Sequence, residues 1–218
     1  MEILIIGNTS QLDEVQLKFG KVHHYTVFPD HQKAQPHLKS SQVVFDFLIS
    51  SASRNVKIYQ PYHSLIVFVD ASLIALSSLN LEGFNSIVVG FCGMPTFLNR
   101  EILEVSVIGD NQKALKKVCG ELNTSYQIVA DKVGLVTPRV ICMIINEAYY
   151  TVEEGTATRE DIDKAMKLGT NYPYGPFEWC ERIGRENVRD LLNAVYRDTL
   201  DSRYKVCNLL EDQSNKTL

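Results

Sequence analysis

Short apolar runs alternate with polar breaks through the first half of the chain. The runs are rich in Val and Ile and lack a clean apolar–polar alternation, which is typical of strands buried on both faces. Helical spacing between the runs favours a parallel, doubly wound sheet. The predicted strands cover residues 2–7, 22–28, 43–49, 65–69 and 86–90; residues 11–19 form a predicted helix and residues 31–40 a polar loop.

The hydrophobic period becomes helical from about residue 131 onward. Thr137 and Pro138 suit the start of a helix that stops near Gly155. A capping-box-like start at Thr158 opens a second helix, which ends at Gly169. Further helices are predicted from residue 176 to 184 and from 186 to 200. We therefore expect a Rossmann-like α/β domain over residues 1–130 and an all-α domain over residues 131–218.

The charge balance and the cysteine pattern of the chain argue against several classes of function. The chain has 218 residues, with 22 Lys and Arg against 26 Asp and Glu, which argues against a basic surface for nucleic acid or anionic membranes. The five cysteines are scattered, odd in number and without CxxC spacing, which favours reduced thiols in a cytoplasmic protein. Metal-ligand spacing, a signal peptide and an apolar run long enough to span a membrane are not found, so no metal and no membrane partner is expected.

The predicted helical domain carries a longer and more specific pattern. It reads NEA at residues 146–148, EGTATREDID at 154–163, MKLG at 166–169, YPYGPFE at 172–178 and IG at 183–184. This pattern resembles the C-terminal domain of 3-hydroxyacyl-CoA dehydrogenases. The resemblance is much weaker over the first half, which lacks a long helical insertion that the family has after the second strand.

The resemblance implies an oxidoreductase of fatty-acid metabolism that transfers a hydride between NAD and the 3-carbon of an acyl-CoA thioester. In the family, a His is the general base on the 3-hydroxyl and a Glu orients that His, while a Ser and an Asn contact the substrate oxygen. The family's helical domain forms a dimer. The implied partners are therefore a second copy of the chain and an acyl-CoA.

The catalytic pair departs from the family pattern. Glu104, in the run ILEVS, occupies the place of the orienting Glu. The family has its His twelve residues earlier, and Cys92 stands there in this chain. A thiol has no second nitrogen for a carboxylate to orient. Cys92 is thus a candidate catalytic residue by position, and equally a small side chain at a strand end.

The substrate-binding residues are altered as well. Ser72 follows a predicted strand where the family has Asn-Thr-Ser, but Asp70 replaces the Asn, and both residues also suit a turn at the end of a strand. Arg139 is retained from the family's Gly-Phe-x-x-Asn-Arg, whereas Pro138 replaces the Asn and also suits a helix start.

The dinucleotide fingerprint is incomplete. It needs glycines for a tight turn, for the approach of the pyrophosphate and for helix packing, and only Gly7 is present, with Thr9 and Leu12 at the other two places. Asp13 adds negative charge near the same turn. Asp30 follows the second strand where a ribose-binding acid would stand, or is a solvated loop residue. NAD binding is accordingly doubtful on the residues alone.

Two hypotheses follow. The chain is either a divergent NAD-dependent 3-hydroxyacyl-CoA dehydrogenase, or a degenerate member that keeps the fold and the helical domain as an acyl-CoA-binding or assembly module. The replaced His, Asn and two glycines favour the second hypothesis. Another CoA-thioester reaction through Cys92 is a third alternative, although nothing in the sequence places a base beside that thiol.

Overall fold

A computed structural model describes residues 1–212 of the chain. The chain divides into two compact units, Met1–Val136 and a second unit that begins at Thr137. Each unit has its own set of elements.

The first unit is an α/β sheet domain. Its strands are β1 (Glu2–Ile6), β2 (His24–Phe28), β3 (Val43–Asp46), β4 (Ile66–Asp70), β5 (Ile87–Phe91), β6 (Ile102–Val107) and β7 (Ser125–Val129). Its α-helices are α1 (Thr9–Phe19), α2 (His31–Ala34) and α3 (Gln112–Glu121), and its 3₁₀ segments are Gln35–Ser40, Ser53–Tyr59 and Leu76–Leu79.

The seven strands form one sheet in the order β2-β1-β3-β4-β5-β6-β7. The five strands from β2 to β5 are parallel, as the apolar runs predict. Strand β6 is antiparallel to β5, and β7 runs parallel to β6. The predicted Rossmann-like parallel sheet is confirmed for the five predicted strands, and the pair β6–β7, which was not predicted, adds an antiparallel neighbour at β5.

Both faces of the sheet are buried, which explains why the strands read as continuous apolar runs. One face packs Ile3, Ile5 and Phe45 against α1 residues that include Val15 and Phe19. The other face packs Leu4, Ile6 and Val44 against Leu38 and Tyr59 of the 3₁₀ segments.

The second unit consists of helices α4 (Thr137–Glu153), α5 (Arg159–Thr170), α6 (Pro176–Ile183), α7 (Arg185–Thr199) and α8 (Asn208–Glu211), with a 3₁₀ segment at Ser202–Tyr204. The predicted stops and starts are found. The Thr158 side chain accepts from the Asp161 N–H and caps α5, and Pro176 is the first residue of α6. Gly184 has φ 92°, a conformation that favours glycine, and separates α6 from α7.

Several boundaries differ from the predictions. Helix α1 begins at Thr9 because Asn8 caps it, and β3 ends at Asp46 rather than at residue 49. Residues 31–40 are not a loop, since α2 and a 3₁₀ segment follow one another there. Strands β6 and β7, helix α3 and helix α8 were not predicted as elements.

Candidate functional site

The strands β1, β3, β4 and β5 end at the same edge of the sheet, the carboxyl edge. The chain passes from β1 outward to β2 and then returns to β3, so the strand order reverses between β1 and β3. In open α/β sheets, ligands bind in the crevice at such a reversal. The residues that follow these four strands therefore define the candidate site.

Cys92 directly follows β5, and Glu104 lies in β6, which is antiparallel to β5. The register pairs Gly90 with Ser106 and Phe91 with Val105, and extending it by one residue past the end of β5 would set Cys92 opposite Glu104. Directly opposed side chains lie on one face, with Cβ atoms about 4.5–5.5 Å apart. The twelve-residue spacing is thus the spacing of a cross-strand pair. Cys92 is buried, and the Glu104 carboxylate accepts the backbone N–H of Val136.

Asp70 lies at the carboxyl end of β4 and is buried, at 6% exposure. Its carboxylate accepts the Gly93 N–H at 2.8 Å, the Ser50 hydroxyl at 2.8 Å and the Ser72 N–H at 3.1 Å. Burial raises the pKa of this carboxyl group, while the donated hydrogen bonds lower it. Ser72, at 1% exposure, is enclosed beside Asp70, in keeping with the turn that its sequence position also allowed.

A buried polar cluster lies at the ends of β2 and β3 and was missed in the sequence. His31 Nε2 donates to Asp46 Oδ2 at 2.8 Å, and the Tyr59 hydroxyl donates to the same oxygen at 2.7 Å. Asn55 lies 3.0 Å from His31 Nδ1. Burial, followed by the nearby Asp46, raises the pKa of Tyr59 well above its usual value. The sequence contained one indication of this cluster, which is Asp46. A charged side chain inside an apolar run requires a buried hydrogen-bond partner.

The turn between β1 and α1 is a capping box. The Asn8 N–H donates to Gln11 Oε1 at 2.8 Å, and the Gln11 N–H donates to Asn8 Oδ1 at 3.0 Å. A Cβ placed on Gly7 would lie 2.1 Å from that Gln11 oxygen. The N–H groups and the space that a pyrophosphate would need are therefore used by the chain's own side chains. The residues at this turn do not fit the NAD that the resemblance implies.

Asp30 has a local partner as well. Its side chain accepts the Lys33 N–H at 2.8 Å and caps the short helix α2. The next residue, His31, points into the protein rather than toward solvent. Asp30 therefore acts as a helix cap, and the ribose-binding role suggested by its position has no support from its contacts.

The signature of the second unit forms the junction of α5 and α6. Asp163 accepts the N–H groups of Phe177 at 2.8 Å and Glu178 at 3.1 Å, so it caps α6 from a neighbouring helix. Gly175 permits this approach, because a Cβ there would lie 2.2 Å from the Asp163 carboxyl carbon. Lys167 then binds Glu178 at 2.6 Å. The most recognisable residues of the chain therefore hold helices together.

The residues around Arg139 are also structural. Pro138 is buried in α4, and Arg139 Nη1 lies 3.4 Å from the Tyr204 hydroxyl, with its guanidinium over the Tyr204 ring. Asn146 donates to the Lys205 carbonyl at 2.8 Å and accepts the Cys207 N–H at 2.9 Å. These contacts fix the segment that precedes α8 against α4.

The cysteines are free and buried. Desolvation raises the pKa of Cys119 to about 11, and it raises the pKa values of Cys142, Cys180 and Cys207. Thiols in this state are protonated near neutral pH and are poor nucleophiles. Within residues 1–212, no group of three or more His, Cys, Asp or Glu side chains is arranged to hold a metal ion. No helix in that part of the chain is long and apolar enough to cross a membrane.

Known protein families and known proteins match this chain mainly over its second unit. The family model of the 3-hydroxyacyl-CoA dehydrogenase C-terminal domain matches residues 134–217. Residues 134–217 of this chain are therefore similar to that C-terminal domain.

Two curated members of the family illustrate how far the match extends. The 3-hydroxyadipyl-CoA dehydrogenase of Escherichia coli (strain K12) is 40% identical over 86 residues, which cover 39% of this chain and 18% of the relative. The 3-hydroxybutyryl-CoA dehydrogenase of Bradyrhizobium diazoefficiens is 34% identical over 98 residues, which cover 45% of this chain and 33% of the relative. The chain thus matches a third or less of the length of either relative.

A solved structure extends the likeness to the whole fold. An (S)-3-hydroxybutyryl-CoA dehydrogenase from Ralstonia eutropha aligns with a TM-score of 0.73, covering 96% of this chain and 92% of that chain at 20% sequence identity. At that identity the likeness concerns the fold. This chain therefore shares the fold of that structure, while the residues at the carboxyl edge must be judged by their own contacts.

Proposed function

We propose that this chain is a member of the 3-hydroxyacyl-CoA dehydrogenase family with little or no NAD-dependent dehydrogenase activity. Its helical unit would serve as an assembly or acyl-CoA-binding module in the cytoplasm. The observation that carries the proposal is the pair of Cys92 and Glu104, which has a thiol in place of the imidazole that the family uses as its base.

The state of the neighbouring groups supports the same proposal. A general base must accept a proton from the substrate hydroxyl near neutral pH, and imidazole suits that task because its pKa lies near the working pH. Glu104 already accepts the Val136 N–H, and Ser72 is enclosed beside Asp70. These contacts support structural roles for Glu104 and Ser72 in the first unit.

The second candidate function is an active NAD-dependent 3-hydroxyacyl-CoA oxidoreductase of fatty-acid metabolism. It is favoured by the match over residues 134–217 and by the names of the matching relatives. It requires a base other than Cys92 and a cofactor turn that differs from the observed capping box.

Absorbance of NADH during incubation of the purified chain with NAD and a short 3-hydroxyacyl-CoA distinguishes the two functions. We expect no turnover above the rate without protein. Sustained turnover by the wild-type chain that Glu104→Gln abolishes would overturn the proposal and identify Glu104 as part of a working site.

A further inference from the structure

The β1–α1 turn lacks two of the three glycines of the dinucleotide fingerprint. The Gln11 side chain also occupies the turn. The Gln11 carboxamide oxygen accepts the Asn8 N–H, one of the donors at the amino end of α1. Helix amino ends bind phosphate through such N–H groups. The side chain therefore makes the type of hydrogen bond that a phosphate oxygen would make.

The Gln11 carboxamide also covers Gly7. The first glycine of a dinucleotide-binding fingerprint makes the turn tight and leaves no side chain beside the ligand's phosphates. Here the oxygen of Gln11 lies 2.1 Å from the position of a Gly7 Cβ, and the carboxamide carbon lies 3.1 Å from it. The space beside Gly7 is thus occupied by a side chain four residues further along the chain.

Phe47 occupies the crevice beside the same turn. It directly follows β3, is 5% exposed, and its Cβ lies 3.5 Å from the Gly7 Cβ position. Its ring reaches Gly93, where Cδ1 lies 3.0 Å from the Cβ position, and it packs edge-on against Phe91 with ring centroids 5.2 Å apart. A buried aromatic ring therefore lies at the strand-order reversal, where ligands of such sheets bind.

We propose that Gln11 and Phe47 close the dinucleotide site from within, so that the first unit completes its own fold without a nucleotide. This inference rests on the proposed function and adds a cause, because a ligand would have to displace an existing capping box before binding. Replacement of the two glycines alone would leave an open turn with low affinity for a dinucleotide. In the occupied turn, a dinucleotide must also break the existing hydrogen bonds of the capping box before it binds.

Fluorescence titration with NADH and thermal unfolding without ligand test the closure. The variants are Gln11→Ala, which empties the turn, and Gln11→Glu, which keeps the capping box and adds a negative charge. Gln112→Ala is the matched control, because Gln112 is an exposed glutamine in the first turn of α3.

We expect Gln11→Ala to lower the Tm by about 2–4 °C, since the hydrogen bond from the Asn8 N–H to the Gln11 side chain in the capping box is lost. The same variant should bind NADH about fivefold more tightly than wild type, as read from the initial slope of the titration. Gln11→Glu should keep the wild-type Tm and bind NADH more weakly than wild type. Gln112→Ala should match wild type in both measurements.

Two results would overturn the inference, and they differ from each other. If Gln11→Ala and Gln112→Ala both titrate like wild type, Gln11 does not close the turn, although the chain can still lack dehydrogenase activity. If wild type itself saturates with NADH at micromolar concentration, the turn is open as it stands. The proposed function then fails only when turnover accompanies that binding.

Discussion

At the scale of single residues, the chemistry of the carboxyl edge depends on what each side chain already binds. The proposed function places Cys92 and Glu104 at the positions of a base and its orienting carboxylate, because extending the antiparallel register of β5 and β6 by one residue would set them opposite each other. The thiol cannot accept a proton and donate a second hydrogen bond to Glu104 as an imidazole does. The proposed pair therefore has the spacing of the family's catalytic pair but lacks an imidazole base.

Replacing Cys92→His tests whether the base is the only missing part. An imidazole there has a reference pKa near 6.5, and general-base catalysis typically contributes about 10²–10⁴-fold. We nevertheless expect no NADH production from NAD and a short 3-hydroxyacyl-CoA, because the capping box at Asn8 and Gln11 still fills the cofactor turn. Cys92→Ser is the control for a polar substitution at this buried position. Turnover that appears in Cys92→His and not in Cys92→Ser would contradict the expectation.

Asp70 makes the stability of the first unit depend on pH. Burial raises its pKa in the folded chain, so the protonated form is favoured there relative to the unfolded chain. Its contribution to stability is therefore present below the unfolded pKa, near 3.9, and is lost as the pH rises through the folded pKa. The loss amounts to about 1.4 kcal/mol for each unit by which the pKa is raised.

The Asp70→Asn variant removes this titration and retains an oxygen that accepts the Gly93 and Ser72 N–H groups. We expect the free energy of unfolding of Asp70→Asn, relative to wild type, to increase as the pH rises above the unfolded pKa of Asp, near 3.9. Urea unfolding followed by circular dichroism measures this difference. Asp110→Asn, at an exposed position, is the control and should show no such change. Parallel pH curves for wild type and Asp70→Asn would show that the ionisation of Asp70 does not affect folding.

At the scale of elements, the junction of α5 and α6 explains why the family signature persists. Asp163 caps α6 from α5, and Gly175 provides the space for its carboxylate. The pair is a physical unit, since a side chain at residue 175 would collide with the cap that residue 163 supplies. The match between these residues and the family pattern therefore reflects their structural role and is not evidence of catalysis.

A double-mutant cycle measures this dependence. Asp163→Ala should cost about 0.5–2 kcal/mol, the usual range for loss of a helix cap. Gly175→Ala should cost at least as much, because its Cβ displaces the same carboxylate; its φ of −70° is otherwise normal for alanine. The double variant should lose less than the sum of the two single losses. Asp198→Ala, an exposed change on α7, should stay within about 0.5 kcal/mol of wild type. Additive losses in urea unfolding would argue against the junction as a unit.

At the scale of the whole molecule, we predict a homodimer through the helical unit. Helix α4 carries an apolar stripe wide enough to pack both inside the unit and on a partner. The structure buries Ile141, Ile145, Ala148 and Tyr149 inside the unit, and leaves Ile144 half-buried and Val140 51% exposed. The row of Val140 and Ile144, one helical turn apart, is the part of the stripe that remains for a second copy.

Light scattering at micromolar concentration tests the assembly. The expected mass is about twice the 24.7 kDa of one chain. Val140→Glu should shift the mass toward 24.7 kDa, because a charge at an apolar interface is costly. Val22→Glu, the same substitution at an exposed valine of the first unit, should leave the mass unchanged. A monomeric wild type would contradict the dimer, and a monomeric Val22→Glu would move the interface to the first unit.

The amino-acid sequence by itself determined the helical unit and the order of most elements. Helix starts and stops depend on local groups, so Thr158, Pro176 and Gly184 could be placed from their neighbours in the chain. Continuous Val and Ile runs indicated strands with two buried faces because the pattern needs no knowledge of partners. The capping box of Asn8 and Gln11 was also readable from its spacing, and it was overlooked.

Only the tertiary structure decided the direction of β6 and the identity of the side chains that fill the carboxyl edge. Strand direction depends on a neighbour that is distant in sequence, and no local pattern specifies it. His31, Asp46 and Tyr59 lie far apart along the chain and meet because three elements end at one place. From the sequence, Gly7 likewise predicts open space for a ligand, and only the structure shows that Gln11 and Phe47 occupy that space. Sequence fixes which groups a residue carries, whereas the space around that residue is set by the packing of the whole unit.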